Sequence, residues 1–70
     1  MTKTLRNKIQ TSLNNHHDTY VVEKGEHTYS LSYGINGCMF YHEITEKEYT
    51  DILSEFECER YNQNTINIIK

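Results

Sequence analysis

Four carboxylates recur at helical spacing in the stretch TEKEYTDILSEFECER, residues 45–60. They are Glu48, Asp51, Glu55 and Glu59. A helix turns about 100° per residue, so this spacing places all four within about a quarter of its circumference. Such a row could bind a basic surface and steer the encounter with it, as do inhibitors that imitate nucleic-acid phosphates. The alternative is an ordinary solvated helix face.

The histidines and cysteines do not have the spacing of a metal site. Cys38 and His42 lie four residues apart on a predicted strand, about 13 Å, which is too far to share an ion. His16 and His17 are adjacent, so on a helix they point in different directions. No phosphate-binding loop or nucleophile elbow is present. We therefore expect no metal, no cofactor and no enzymatic activity.

Length and charge restrict the class of protein. Seventy residues, 36% of them hydrophobic, make a single domain (residues 1–70) with a small core. The net charge is −3, which argues against nucleic acid as the main partner. Residues 1–17 carry +3 from Lys3, Arg6 and Lys8, whereas four basic and ten acidic residues in 18–70 give −6.

Two further features of composition bear on origin and location. No apolar run has the length of a signal peptide or of a membrane span, and two isolated cysteines fit a reducing compartment. We therefore expect a cytoplasmic protein. Ala and Pro are absent while Asn, Ile, Lys and Tyr abound, which indicates an AT-rich genome such as that of a low-GC bacterium or its phage.

The elements that must position these residues can be read from periodicity. Leu5, Ile9 and Leu13 recur every four residues and predict an amphipathic helix over residues 3–16. The following stretch, NNHHD, ends it because Asn and Asp favour turns.

Three strands are predicted between residues 19 and 44, joined by two tight turns. Asn36-Gly37 suits a type I′ turn, which pairs Ile35 with Cys38 and Tyr33 with Phe40. Lys24-Gly25 is predicted as the other turn, which pairs Val22 with His27 and Tyr20 with Tyr29. Side chains alternate across a strand, so both registers place these paired residues on one apolar face.

The opposite face of this predicted sheet is polar but carries Met39 and Tyr41. Met and Tyr are enriched at protein interfaces, so these two side chains are candidate partner-binding residues.

A second helix is predicted from Thr45. Thr45 and Glu48 form a capping box, and the apolar stripe of this helix continues to Arg60. The stripe consists of Tyr49, Ile52, Leu53, Phe56 and Arg60. The final TINIIK is predicted as a strand at a sheet edge. The fold class is therefore α+β, in the order α-β-β-β-α-β, with an antiparallel sheet and the helices packed on one face.

Up to residue 61 this order of elements resembles the double-stranded-RNA-binding domain. That family opens its second helix with a lysine-rich stretch facing phosphate, whereas here the helix opens with TEKEY. The resemblance concerns the order of elements alone, and RNA binding is not carried over.

The expectation that follows is a non-enzymatic binding protein of a phage or mobile element. It would inhibit a host enzyme or defence nuclease, as the anti-CRISPR class does, by contacting a host protein with a basic surface, without nucleic acid or membrane. The expected partner-binding residues are Glu48, Asp51, Glu55, Glu59, Met39 and Tyr41. Two alternatives stay open: a nucleic-acid-binding regulator that uses Lys3, Arg6 and Lys8, and a homo-oligomer that pairs through the edge strand at residues 65–70.

Overall fold

The computed structural model describes all residues from 1 to 70 and has two helices and one five-stranded antiparallel sheet. The elements are α1 (Lys3–Asn14), β1 (Tyr20–Gly25), β2 (Thr28–Ile35), β3 (Cys38–Ile44), α2 (Glu46–Glu55), β4 (Cys58–Arg60) and β5 (Thr65–Ile68). Neighbouring strands follow the order β3-β2-β1-β5-β4. The predicted α+β class is confirmed, with β4 as a short additional strand.

The core lies between the two helices and one face of the sheet. Its buried apolar residues are Leu5, Ile9, Val21, Tyr29, Leu31, Tyr33, Ile44, Ile52 and Ile68. Fully burying one such side chain stabilises the fold by about 1.5–3 kcal/mol. The Tyr29 ring also stacks on Tyr49 of α2 with centroids 3.9 Å apart, which fixes α2 against β2. We call this side of the sheet the helix face.

The hairpin of β2 and β3 confirms the predicted turn at Asn36-Gly37. Ile35 pairs with Cys38 and Tyr33 with Phe40, as the sequence indicates. Asn36 and Gly37 both have positive φ, 53° and 82°, which is the requirement of a type I′ turn. This turn fixes which side chains of β3 point toward each face.

The predicted turn at Lys24-Gly25 is wrong. The chain turns at Glu26 and His27, a bulge lies between Glu23 and Gly25, and Val22 pairs with Ser30 instead of His27. The register therefore shifts by an odd number of residues, and Val21 enters the core while Tyr20 and Val22 face the other way. Burial of the β-branched Val21 between Leu31 and Ile66 favours this register over the predicted one.

The second helix is shorter than predicted. Its capping box is confirmed, because Thr45 Oγ1 accepts from the Glu48 N–H while the Glu48 carboxylate accepts from the Thr45 N–H. The helix then ends at Glu55, and Phe56 is extended with φ −114° and ψ 152°. An extended chain lets Cys58 pair with Ile68 and lets Phe56 pack against the core. Arg60, which was predicted on the apolar stripe of this helix, therefore lies on β4 instead.

The last strand also differs from its prediction. β5 lies between β1 and β4, so it is not an edge strand. The two edges of the sheet are β3 and β4. Any strand pairing between molecules must therefore use one of these edges instead of residues 65–70.

Candidate functional site

The sheet has a second face that neither helix covers, which we call the open face. The strand registers align one residue from each strand in a row across it. From β4 to β3 this row consists of Glu59, Asn67, Tyr20, Ser32 and Tyr41. We call it the central row.

Large apolar side chains are exposed mainly on the open face. Six are exposed in the whole chain, and four of them belong to this face. These are Met39 (40% exposed), Tyr41 (71%), Tyr61 (71%) and Ile69 (45%). Tyr61 and Ile69 continue the alternation of Glu59 and Asn67. The Tyr61 N–H bonds to Thr65 of β5, and the Ile69 N–H bonds to Glu57 just before β4. The concentration on one face distinguishes them from scattered surface residues.

The middle of the open face is low because β2 carries only small residues there. Ser30, Ser32 and Gly34 occupy successive outward positions. Ser32 lies between Tyr20 and Tyr41 in the central row and is 1% exposed, and its hydroxyl has no hydrogen-bond partner. Ser32 is therefore covered between the two tyrosines, and we call the line of small residues 30, 32 and 34 the small-residue strip.

His17 covers one end of the small-residue strip. A Cβ at Gly34 would lie 2.6 to 2.9 Å from three atoms of His17, so glycine is required for the His17 ring to rest on β2. His17 Nε2 also accepts a long hydrogen bond, 3.4 Å, from the backbone N–H of Gly37. The loop after α1 thus crosses the end of the sheet in direct contact with β2.

A buried polar network holds this loop in place. Ser12 of α1 accepts a 2.9 Å hydrogen bond from the Gly34 N–H and lies 2.6 Å from the Thr19 hydroxyl. Thr19 in turn donates to the His17 carbonyl at 3.1 Å. Ser12 and Thr19 are almost completely buried, so breaking any of these bonds leaves a desolvated polar group.

A groove of about 730 Å³ adjoins the open face where this loop meets β5. Its walls include Asp18, Tyr20, Tyr61 and Asn67, so it shares two residues with the central row. The groove extends the open face beyond the sheet and adds one acidic group to it.

The predicted row of four carboxylates is not formed. Glu59 lies on β4 in the central row, because α2 ends before it. Glu48 is occupied by the capping box. Asp51 accepts hydrogen bonds from the α-amino group of Met1 and from Lys47, which lower the pKa of its carboxyl.

Glu55 completes a contact between the two helices. Its carboxylate accepts two hydrogen bonds from Arg6 of α1, at 2.8 and 2.9 Å, and this pairing lowers the pKa of Glu55. Asp51 and Glu55 are therefore engaged within the molecule. Their role in binding a partner stays a prediction.

The basic residues of α1 are also partly engaged. Arg6 is held by Glu55, and the Lys8 ammonium lies 5.8 Å from the centre of the Tyr33 ring. Of the three cations in the nucleic-acid alternative, only Lys3 has no such contact in the structure.

The two thiols lie in different environments. Cys38 is exposed at the start of β3. Cys58 is half-buried on β4, and burial raises the pKa of its thiol. No three potential metal ligands come together in the structure. Neither helix is long and apolar enough to cross a membrane.

Three of the six predicted site residues, Met39, Tyr41 and Glu59, lie on the open face. Sequence reasoning missed Tyr20, because the wrong first turn placed it in the core. The alternation of small residues at 30, 32 and 34 was the available signal for the small-residue strip. These features define a small α+β protein with one uncovered sheet face, and no family model, curated protein or solved structure matches the chain.

Proposed function

We propose that the protein is a non-enzymatic binding protein that recognises another protein through the open face. The observation that carries this proposal is the grouping of Met39, Tyr41, Tyr61 and Ile69 on the one face without helices. Rigid aromatic side chains supply large contact area at low cost in conformational entropy, and Tyr is enriched among the residues that dominate binding energy.

The shape and charge of the face favour a protein partner with a basic rim. The open face is a sheet surface with exposed side chains instead of an enclosed cavity, which suits a protein surface better than a small molecule. Glu59 lies at one end of the central row and Asp18 lines the groove, while Glu43 on β3 is bridged by Lys24. A partner with Lys or Arg around an apolar centre complements this arrangement, whereas phosphate does not.

The biological class we propose is an inhibitor encoded by a phage or mobile element, acting in the cytoplasm on a host enzyme or defence nuclease. Small size and AT-rich coding bias support this class. The acidic side chains at the margin of the open face support a target that normally binds nucleic acid, because such targets present basic surfaces.

Affinity capture with matched variants tests the proposal. The tagged protein is incubated with lysate of the source cell, or of its host, and captured proteins are identified by mass spectrometry. A partner should be retained by the unmodified chain and lost from the variant Met39→Ser/Tyr41→Ser. The matched control is Leu53→Ser, since Leu53 is similarly exposed but lies on α2.

The same capture experiment tests whether binding uses the open face or the acidic side of α2. Asp51→Asn/Glu55→Gln removes the two engaged charges of α2 and should leave capture unchanged. Retention of the partner by Met39→Ser/Tyr41→Ser, with loss from Asp51→Asn/Glu55→Gln, would assign binding to α2 and contradict the proposal.

A further inference from the structure

The two edges of the sheet differ in how they are protected. β4 is three residues long and includes the charged Glu59 and Arg60. β3 is seven residues long, has no Pro, Gly, Lys or Arg, and is exposed at every position but the last. Natural sheets protect edge strands by shortness, charge, proline or bulges, and β3 has none of these beyond Glu43.

The type I′ hairpin determines which backbone groups of β3 are free. In a two-residue hairpin the residues that flank the turn form a hydrogen-bonded pair, and such pairs alternate along the ladder. Ile35 and Cys38 are that first pair, so the N–H and C=O groups of Met39, Tyr41 and Glu43 point away from β2. None of these groups bonds to another part of the chain.

We propose that β3 pairs antiparallel with β3 of a second copy of this chain, on a two-fold axis at Tyr41. Tyr41 is the middle residue of Cys38–Ile44, so only this register overlaps the whole strand. Met39 then lies opposite Glu43 of the second copy. The outward-facing residues form on the order of six new hydrogen bonds, and the two sheets become one.

Side chains favour a second copy in this register. On the helix face, Phe40 is 45% exposed although it stacks on Tyr33, because the helices leave this part of β3 uncovered. In the dimer Phe40 lies opposite His42 of the second copy and diagonal to its Phe40, so both apolar rings become covered. No like charges face one another, and Glu43 is already bridged by Lys24. Self-pairing therefore carries little electrostatic cost.

The dimer leaves the open face accessible and joins the two central rows at Tyr41. It does not depend on the proposed function, since it can form whether or not another protein binds. The two proposals can therefore fail separately.

Sedimentation equilibrium of the full chain tests the association. We expect a mass of twice 8.4 kDa that dissociates on dilution. Tyr41→Lys places two cations opposite each other on the axis and should raise the dimer dissociation constant at least about tenfold, with an unchanged circular-dichroism spectrum. Glu59→Lys, at the other edge, is the control and should not change it. A chain that stays monomeric at every concentration overturns the proposal.

Engineered disulfides test the register. In a Cys38→Ser/Cys58→Ser background, Tyr41→Cys places two thiols opposite each other, within reach of a disulfide. Met39→Cys is the matched control, because the two residues 39 are offset by four residues, about 13 Å. Mild oxidation should cross-link the first variant and not the second. Equal cross-linking of both, or of the control alone, would contradict pairing centred on Tyr41.

Discussion

Both faces of the sheet carry large apolar side chains, but only the helix face buries them. On the helix face, Tyr33 and Leu31 are buried beneath α1 and α2. On the open face, Tyr41 and Met39 of the adjacent strand remain exposed although they are as large. The difference shows that this small chain buries only part of its large apolar side chains when it folds. Stability should therefore depend on one face and recognition on the other.

Truncating the helix face should have the largest effect. Leu31 is completely buried, so Leu31→Ala leaves a cavity and should lower the free energy of unfolding by about 2–5 kcal/mol. A domain this small has a total stability of only about 5 kcal/mol, so much of the variant should be unfolded. Urea denaturation, monitored by circular dichroism, measures the free energy of unfolding and the fraction of unfolded protein. Tyr41→Ala is the control, and a comparable loss in it would contradict the division between faces.

Adding one methyl group beneath the His17 ring should have an intermediate effect. Gly34→Ala places a Cβ within 2.9 Å of the His17 ring, so it should destabilise the fold by about 1–3 kcal/mol. His17→Gly removes all three atoms that this Cβ would meet, so Gly34→Ala should cost less in that background. A double-mutant cycle of unfolding free energies measures the coupling. Additive changes in the free energy of unfolding would show that the loop carrying His17 moves away from residue 34 without cost.

Acid should have a smaller effect, because it weakens the ion pairs that α2 makes with Arg6 and with the α-amino group of Met1. Asp51 and Glu55 have folded pKa values below their ordinary 3.8 and 4.5, so their contribution is present at neutral pH. It should be lost as the pH falls from about 4.5 through the lower folded values. Glu55→Gln should flatten part of this dependence. Parallel stability–pH curves for this variant and the unmodified chain would mean that the Arg6–Glu55 pair contributes nothing measurable.

Binding of nucleic acid should be the smallest of these effects, because neither face presents a free basic patch. Arg6 is paired with Glu55, and the open face has acidic margins. Gel-shift assays near physiological ionic strength should therefore detect little or no binding to duplex DNA or RNA. Sub-micromolar binding with a steep salt dependence would favour the alternative of a nucleic-acid-binding regulator.

Local signals in the sequence predicted much of the fold. The Asn36-Gly37 turn and the Thr45 capping box are decided by residues a few positions apart, and both are confirmed. The first turn depends on long-range burial of Val21 against β2 and β5, which no local pattern shows. The end of α2 likewise depends on pairing between Cys58 and Ile68.

The candidate site was predicted only in part for the same reason. Met39 and Tyr41 follow from the correctly predicted hairpin. Tyr20 required the correct register of β1, and Glu59 reached the open face only because α2 ends early. Glu59 left the predicted carboxylate row because α2 ends early, and helical spacing could not show that the chain's own amino group and Arg6 bind Asp51 and Glu55.

The most direct test of the division between faces combines binding and stability in one variant. Met39→Ser/Tyr41→Ser/Tyr61→Ser removes the two most exposed tyrosines and the methionine of the open face and leaves the core intact. Its affinity for the captured partner is measured by titration calorimetry, and its free energy of unfolding by urea denaturation. We predict loss of binding with a change in stability of less than about 1 kcal/mol. Unchanged affinity in the folded variant would contradict recognition through the open face.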